Sequence, residues 1–383
     1  MNRRKFLKIA GSAAVILAAG GGGFVMTRTP TKALGPWKTA GSLYADPMRR
    51  ALSYAILAPN PHNRQPWIVD IKSDSEAVLT CDLERLLPET DPFSRQIIIG
   101  LGCFLELFSI AATDQGYRAD IAYFPQGEPD NVLDQRPIAR LRLNRQSGLA
   151  RDSLFEQILQ RHTNREPYDL QRLVSDDTLK RLRANAGDGV VVEATNAGPL
   201  RDSLRILTRD ALLTEIRTPE AFRESIDLMR IGRAEVEANP DGISLDGAFL
   251  ESLSLIGVLS RKTLADPASS SFQIGLDMAT DQAMTSMGFV WINTMGNSRT
   301  DQIEAGRAYM RTALAATADG LVMQPMSQAL QEYSAMEPFY KTVHKQLTDR
   351  PAERVQMLAR LGFADTAGPA PRWSLDTRLK NRG

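Results

Sequence analysis

Leu57-Ala58-Pro59-Asn60-Pro61-His62-Asn63-Arg64-Gln65-Pro66-Trp67 is the stretch on which the reading of this chain turns. Pro59, Pro61 and Pro66 fix φ near −65° and remove three backbone donors, so the segment is a stiff connection that joins neither helix nor sheet. Within that frame it carries Asn60, His62, Asn63, Arg64, Gln65 and Trp67, an amide-rich set suited to a flat polar ligand. A rigid loop with such groups is a stronger functional pointer than a flexible one. On the pattern alone, a plain connection anchored by Trp67 is an equally good reading. Upstream, Met48, Leu52, Ala55 and Ile56 fall at helical spacing. Downstream, residues 66–71 read as a strand.

Further along, residues 77–83 read as a second strand, and Asp91 is expected to N-cap a helix with Pro92 at its first position. That helix, 96–116, is apolar nearly all round and therefore buried. Gly100 and Gly102 inside it point to close approach by another helix or a ligand, helix packing being the simpler cause. Strands are expected at 119–124 and 138–143, then helices at 154–160 and 175–185 and a strand at 190–194. Residues 200–256 read as helical with a turn at 239–242, and 264–284 loosen into small polar residues expected to be mobile. A strand at 289–294, an amphipathic helix at 299–318, a strand and turn at 320–328 and a last strand at 355–363 complete the pattern. Helices and strands alternate loosely, which gives an α+β class with mixed central sheets.

The 383 residues, 43% apolar and 24% charged, suffice for one large domain or two smaller ones. A formal charge of +1 leaves no basic surplus, so no nucleic-acid partner is expected. His62, His162, His344, Cys81 and Cys103 show no close ligand spacing, so no protein-built metal site is expected. A Cys81–Cys103 disulfide is formally open in an oxidising compartment, but the apolar run around Cys103 favours two buried thiols.

The N-terminus, Met1-Asn2-Arg3-Arg4-Lys5-Phe6-Leu7-Lys8, precedes a weakly apolar run over 9–19 and a glycine run. That is the signature of an export signal, and the run is too short for a comfortable membrane span. The paired arginines resemble a twin-arginine address. The resemblance implies the twin-arginine export machinery as a partner, a chain exported already loaded with cofactor, and a periplasmic or cell-surface location. Cleavage near Ala33 and retention as an uncleaved membrane anchor both stay open. Residues 1–38 are set aside as signal and linker.

Ala58-Pro59-Asn60-Pro61-His62-Asn63-Arg64-Gln65-Pro66-Trp67 resembles the A-P-S-x-x-N-x-Q-P-W signature of the FMN-dependent nitroreductases. Arg161-His162-Thr163-Asn164-Arg165 resembles the R-x-[ST]-x-R segment of the same superfamily. Leu361-Gly362-Phe363, with Pro371-Arg372 and Leu375-Asp376, is similar to its C-terminal strand and phosphate-binding segment. Residues 91–116 and 223–242 are similar to the Acg-like branch, and the likeness runs over nearly all of 43–380. Asn60 and Pro61 stand where the signature has small residues, which bears on loop detail and affinity.

The order of the motifs departs from the family. Ordinary members place the arginine motif before the Q-P-W loop in one half, and two chains enclose each flavin at their interface. Here the Q-P-W loop comes first, in a half without an arginine motif, and each half keeps what the other lost. The resemblance thus implies a nitroreductase-like α+β fold of two fused halves, 39–152 and 153–383. The second half would carry a helical lid-like insertion at about 200–260. Such a chain is a monomer and a single-chain pseudo-dimer, with one complete FMN site and one lost.

For that site the resemblance implies that Arg161, Thr163, Arg165 and Arg372 hold the FMN phosphate, which guanidinium groups grip bidentately. Asn63 and Gln65, with the backbone of Pro59, Asn60 and Pro61, would serve the pyrimidine edge of the flavin. Gln324 and Met326 would lie in the turn near its reactive edge. For any one arginine alone, a surface salt bridge is an equally good reading. No residue is assigned a catalytic role, because the cofactor carries the chemistry. The implied activity is flavin-mediated two-electron reduction of a nitroaromatic, quinone or similar small acceptor, by a donor the sequence does not name. The alternative is an FMN storage or sequestering protein with its lid closed, since an exported protein meets no pool of NAD(P)H.

Overall fold

Two four-stranded sheets of the same strand order organise the chain, in a computed structural model that describes residues 27–185 and 189–380. The expected export signal, residues 1–26, lies outside the described residues. The first half runs α1 (Gly35–Thr39), α2 (Pro47–Ala55), β1 (Trp67–Ser73), β2 (Glu76–Cys81), α3 (Arg95–Thr113), β3 (Tyr117–Tyr123) and β4 (Ala139–Arg145). The second opens with α4 (Asp176–Arg183) and β5 (Val190–Thr195). An insertion follows: α5 (Gly198–Arg217), α6 (Pro219–Asp227), β6 (Met229–Ile231), α7 (Gly232–Ala238), β7 (Ile243–Leu245), α8 (Ala248–Leu255), α9 (Arg261–Ala265) and α10 (Ser270–Met284). The half closes with β8 (Gly288–Thr294), α11 (Arg299–Ala318), β9 (Val322–Pro325), α12 (Glu337–Leu347) and β10 (Arg354–Gly362).

The sheet orders are β1-β2-β4-β3 and β5-β8-β10-β9, every neighbouring pair antiparallel. In each half a helix precedes the first edge strand, and a long helix connects the second strand to the other edge. The architecture is therefore α+β with two fused halves of like topology. Among the described residues, parallel pairing enters only as isolated bridges, Val69 with Leu379 and Thr163 with Met323, and in the short pair β6-β7. The expected mixed sheets are thus antiparallel cores with parallel additions at their edges.

The halves meet where α3 crosses α11, and the crossing is reciprocal. A Cβ on Gly102 would run into the carbonyl oxygen of Ile303, and one on Gly306 into that of Ile99. Arg95, at the start of α3, reaches into the second half and donates to the carbonyls of Gln356 (2.7 Å) and Leu330 (2.6 Å). Arg299, at the start of α11, reaches into the first and donates to those of Phe93 (2.8 Å) and Asp130 (2.7 Å). The same spacing relates Ile110-Ala111-Ala112-Thr113 to Leu314-Ala315-Ala316-Thr317. Contacts exchanged in this way are those of an isologous dimer, here made within one chain. One apolar cluster runs through both halves, and a second lies between α5, α10 and β8.

Several local expectations need correction. Asp91 does not immediately precede the long helix; Ser94, at φ 56°, stands there. The Asp91 carboxylate caps from further back, accepting the N–H groups of Gln96 (3.1 Å) and Ile97 (2.9 Å). Burial pushes its pKa up to about 6. Residues 270–284 form a helix, N-capped by Ser269 and fixed by Phe272, Ala279 and Ala283. The helix expected at 154–160 is only a 3₁₀ turn over Phe155–Gln157. Residues 27–38 are no free linker: Ala33 and Trp37 are buried, and the Ala33 carbonyl accepts the Arg372 N–H. Cys81 and Cys103 are both buried and free, and burial pushes both thiols up to about 12.

The insertion carries a buried carboxyl on α5. Glu215 accepts a 2.6 Å hydrogen bond from Gln331, and burial pushes its pKa up to about 7. Its folded pKa exceeds its unfolded one, so ionising it costs stability as pH rises from about 4.5 to about 7. Glu215→Gln is expected to be more stable than the parent at pH 8, by on the order of 2 kcal/mol. The advantage should vanish near pH 4.5. Urea unfolding at the two pH values checks this, and an equal difference at both would contradict it.

Candidate functional site

The proline loop is held in an unusual backbone shape. His62, Asn63 and Gln65 have φ of 45°, 52° and 52°. For residues with a Cβ that left-handed region costs on the order of 1 kcal/mol or more each, and such strain clusters at functional sites. Asn60 braces the turn from inside: its Oδ1 accepts the Gln65 N–H at 2.7 Å and its Nδ2 donates to the Ala58 carbonyl at 3.1 Å. Gly100 allows this, since a Cβ there would sit 3.0 Å from the Asn60 Cβ and 3.2 Å from the Pro61 Cδ. Of the two helix glycines, Gly102 therefore serves the helix crossing and Gly100 the loop.

The side chains of Asn63 and Gln65, expected at the pyrimidine edge of a flavin, make their hydrogen bonds to protein. The Gln65 amide is fully buried, donating to the Pro240 carbonyl (2.7 Å) and accepting the Trp373 N–H (2.9 Å). Asn63 donates to the Pro371 carbonyl (3.0 Å) and accepts from Arg372 (2.6 Å). Its own carbonyl accepts the Gly242 N–H at 3.3 Å. The two amides clasp the C-terminal tail and the turn of the insertion onto the loop.

Arg372 is the centre of that clasp. Its Nε donates to the carbonyl of Ile56, its Nη2 to those of Leu57 and Ala58, and its Nη1 to Asn63 and Pro371. All five donors of the guanidinium are thereby used on neutral acceptors, three of them at the C-terminal end of α2, where a cation is favoured. Burial and then Arg161 bring its pKa down to about 9. Arg372 lends the site its charge but has no donor left for a ligand, which revises its expected role.

Residues 161–168 are pinned against β9 and β10. The Asn164 N–H donates to the Met323 carbonyl (3.1 Å) and its side chain to that of Asp365 (2.7 Å). Arg360, fully buried in the middle of apolar β10, donates to Gln324 Oε1 (2.7 Å) and to the carbonyls of Glu166 (2.8 Å) and Gln282 (2.5 Å). Its guanidinium lies 3.7 Å from the Tyr168 ring centroid. Gln324 also donates to Gln282 at 3.1 Å, so its amide is taken up by this brace. Met326 is 1% exposed in the apolar cluster under the insertion. The Gln324 amide is thus bonded to Arg360 and Gln282, and Met326 is packed in the apolar cluster. Arg360 went unread in the sequence, although a lone arginine inside Leu358-Ala359-Arg360-Leu361 was a usable signal.

What remains is a cation-rich recess without a counterion. Arg161 is buried, its Nη2 makes one long bond to the Leu57 carbonyl (3.4 Å), and its Nε is sealed with no partner. Arg165 is solvent-exposed yet its pKa is lowered by desolvation, as for a side chain lining a recess, and it has no partner among the described residues. Thr163, between them, makes no side-chain hydrogen bond among the described residues. Two imidazoles flank the recess. Burial and then Arg165 hold His62 at about 4, and burial and then Arg161 do the same for His162. Trp37 closes one side, its ring 4.8 Å from that of His162. Among the described residues, no carboxylate pairs with Arg161, Arg165 or Arg372. Uncompensated buried charge is costly, and a multiply charged anion is the ligand that would repay it.

No family model matches the chain. Over 128 residues it is 34% identical to an uncharacterized protein of Mycobacterium tuberculosis, covering 32% of this chain and 36% of that one. The chain thus matches about a third of that relative's length. Over 338 residues it is 26% identical to a protein of the same organism named "Putative NAD(P)H nitroreductase", covering 86% of this chain and 90% of the relative. Among solved structures, an FMN and NADPH-dependent nitroreductase from a Sphigopyxis strain aligns at a TM-score of 0.37 and 16% identity, over 61% of this chain and all of its own. A nitroreductase with bound FMN from Desulfitobacterium hafniense aligns at 0.36 and 13%, over 59% and 96%.

Proposed function

We propose that this chain is an FMN-binding oxidoreductase of the nitroreductase type, reducing a small nitroaromatic, quinone or similar acceptor. The observation that carries the reading is the counterion-free set Arg161, Thr163 and Arg165, gathered with Arg372 where the two halves meet. The set fits the phosphate of FMN: it presents guanidinium donors and a free hydroxyl, and the buried charge of Arg161 has no counterion among the described residues. A phosphate monoester brings close to two negative charges at neutral pH. When bound, FMN supplies electron transfer between donor and acceptor, so the chain needs no acid–base dyad of its own. Arg161 and Arg165 bind the phosphate, while Arg360 and Asn164 hold the segment that carries them. Arg372 fixes the proline loop beside it, with Pro59, Asn60 and Pro61 as the wall nearest α3.

A second reading, FMN storage with little turnover, is favoured by how firmly the insertion is latched. Asp241 pairs with Arg85 (2.6 Å) and Arg230 (2.8 Å) and accepts from the Trp373 indole (3.1 Å), beside the Gln65–Pro240 bond. The test for both is the visible spectrum of the purified chain, followed by rapid-mixing reduction. A yellow protein that NAD(P)H bleaches and an acceptor reoxidises supports the oxidoreductase. A yellow protein that NAD(P)H does not bleach supports storage, and a colourless one that takes up no FMN contradicts both. The paired Arg3-Arg4 supports export of the loaded monomer. Flavin-loaded chain in the periplasmic fraction is the result expected, and its confinement to the cytoplasm would contradict export.

A further inference from the structure

Tyr309 belongs to none of the sequence motifs, yet α11 carries it into the same recess, one turn past the Gly306 crossing. Its side chain is 3% exposed, and among the described residues its hydroxyl makes no hydrogen bond. Buried tyrosine hydroxyls ordinarily find a partner. The oxygen is not sealed off as the Arg161 Nε is, so a ligand in the recess can reach it. Of the charged groups, Arg161 acts most strongly on Tyr309, and Tyr309 is the first titratable group acting on Arg161. The two therefore lie within reach of each other's field, each nine-tenths buried and each short of a partner.

The internal duplication supplies a comparison. By the spacing that relates Gly102 to Gly306, the counterpart of Tyr309 on α3 is Leu105, fully buried and apolar. Packing at this position is thus met without a hydroxyl on α3, while α11 carries one there. We propose that Tyr309 is a binding residue for a phosphate monoester, its hydroxyl donating to a phosphate oxygen beside Arg161. The inference rests on the reading of the recess as a flavin-phosphate site, and adds a donor from the helix crossing to the two from the arginine segment.

Tyr309→Phe removes the oxygen and keeps the ring. Titrating the apoprotein, full chain, with FMN and with riboflavin should show FMN binding weakened about tenfold and riboflavin binding unchanged, the ratio expected of one hydrogen bond to a charged acceptor. Because the hydroxyl has no protein partner to lose, the melting temperature of the apoprotein should not fall. Tyr309→Leu, patterned on Leu105, should lose the same FMN affinity. Full FMN affinity in Tyr309→Phe, or an equal loss for riboflavin, overturns the assignment. Parent protein that binds no FMN at all sinks the reading of the recess, and this inference with it.

Discussion

Gly306→Ala is expected to lower the unfolding free energy by about 3 kcal/mol or more, because overpacking costs most where the neighbour is backbone. The added methyl would meet the Ile99 carbonyl, and Gly102 packs against the same point. Neither atom belongs to a flexible side chain, so α3 and α11 would have to separate. The two helices carry the contact between the halves, and the apolar cluster through both depends on their spacing. Gly275→Ala, on α10 with nothing within 4 Å of the new methyl, is the control. That change should raise stability by about 0.5–1 kcal/mol through helix propensity. Urea midpoints that fall equally for both variants would mean the crossing is not the close contact described.

Arg161→Met and Arg165→Met should each weaken FMN binding by between tenfold and a hundredfold, at about 1.5–3 kcal/mol per hydrogen bond to a charged group. Their stability effects differ. Arg161 is buried without a counterion, so methionine there should leave the apoprotein as stable as the parent or more so. Arg165 is exposed and unpartnered, so its loss should not move the apo melting temperature. Arg372→Met contrasts with both. It strips hydrogen bonds from the carbonyls of Ile56, Leu57, Ala58 and Pro371, and should cost about 3 kcal/mol or more of stability. Calorimetric titration of each apoprotein with FMN, beside its thermal melt, separates the two classes. A destabilised Arg161→Met that keeps its FMN affinity would reverse the assignment.

The division among the three arginines marks where sequence reading stops. Motif spelling placed Arg161, Arg165 and Arg372 in one role, and the fold does gather the segments that carry them. It could not show that Arg372 spends every donor on carbonyls, since backbone acceptors leave no side-chain signature to read. The same holds for Asn63 and Gln65, whose partners include the backbones of Pro371, Trp373 and Pro240. The order of loop and arginine segment was legible, and so was the fused pair it implies. The residue-by-residue match of the two long helices was not, because they share little beyond Arg95 and Arg299, Ile99 and Ile303, Gly102 and Gly306 and the closing Ala-Ala-Thr. Residues 270–284 misled through their small polar composition, which conceals a helix needing only Phe272, Ala279 and Ala283 to dock. Trp37 was set aside with the export signal, although an indole beside a charged tail had a packing role available.

The proposed function has the recess hold the flavin phosphate. The most direct test is the ratio of FMN to riboflavin affinity in the unmodified apoprotein, since the two ligands differ only in that phosphate. At two or more charge-assisted hydrogen bonds, FMN should bind at least about a hundredfold tighter. Equal affinities would show that Arg161, Thr163 and Arg165 do not hold the phosphate.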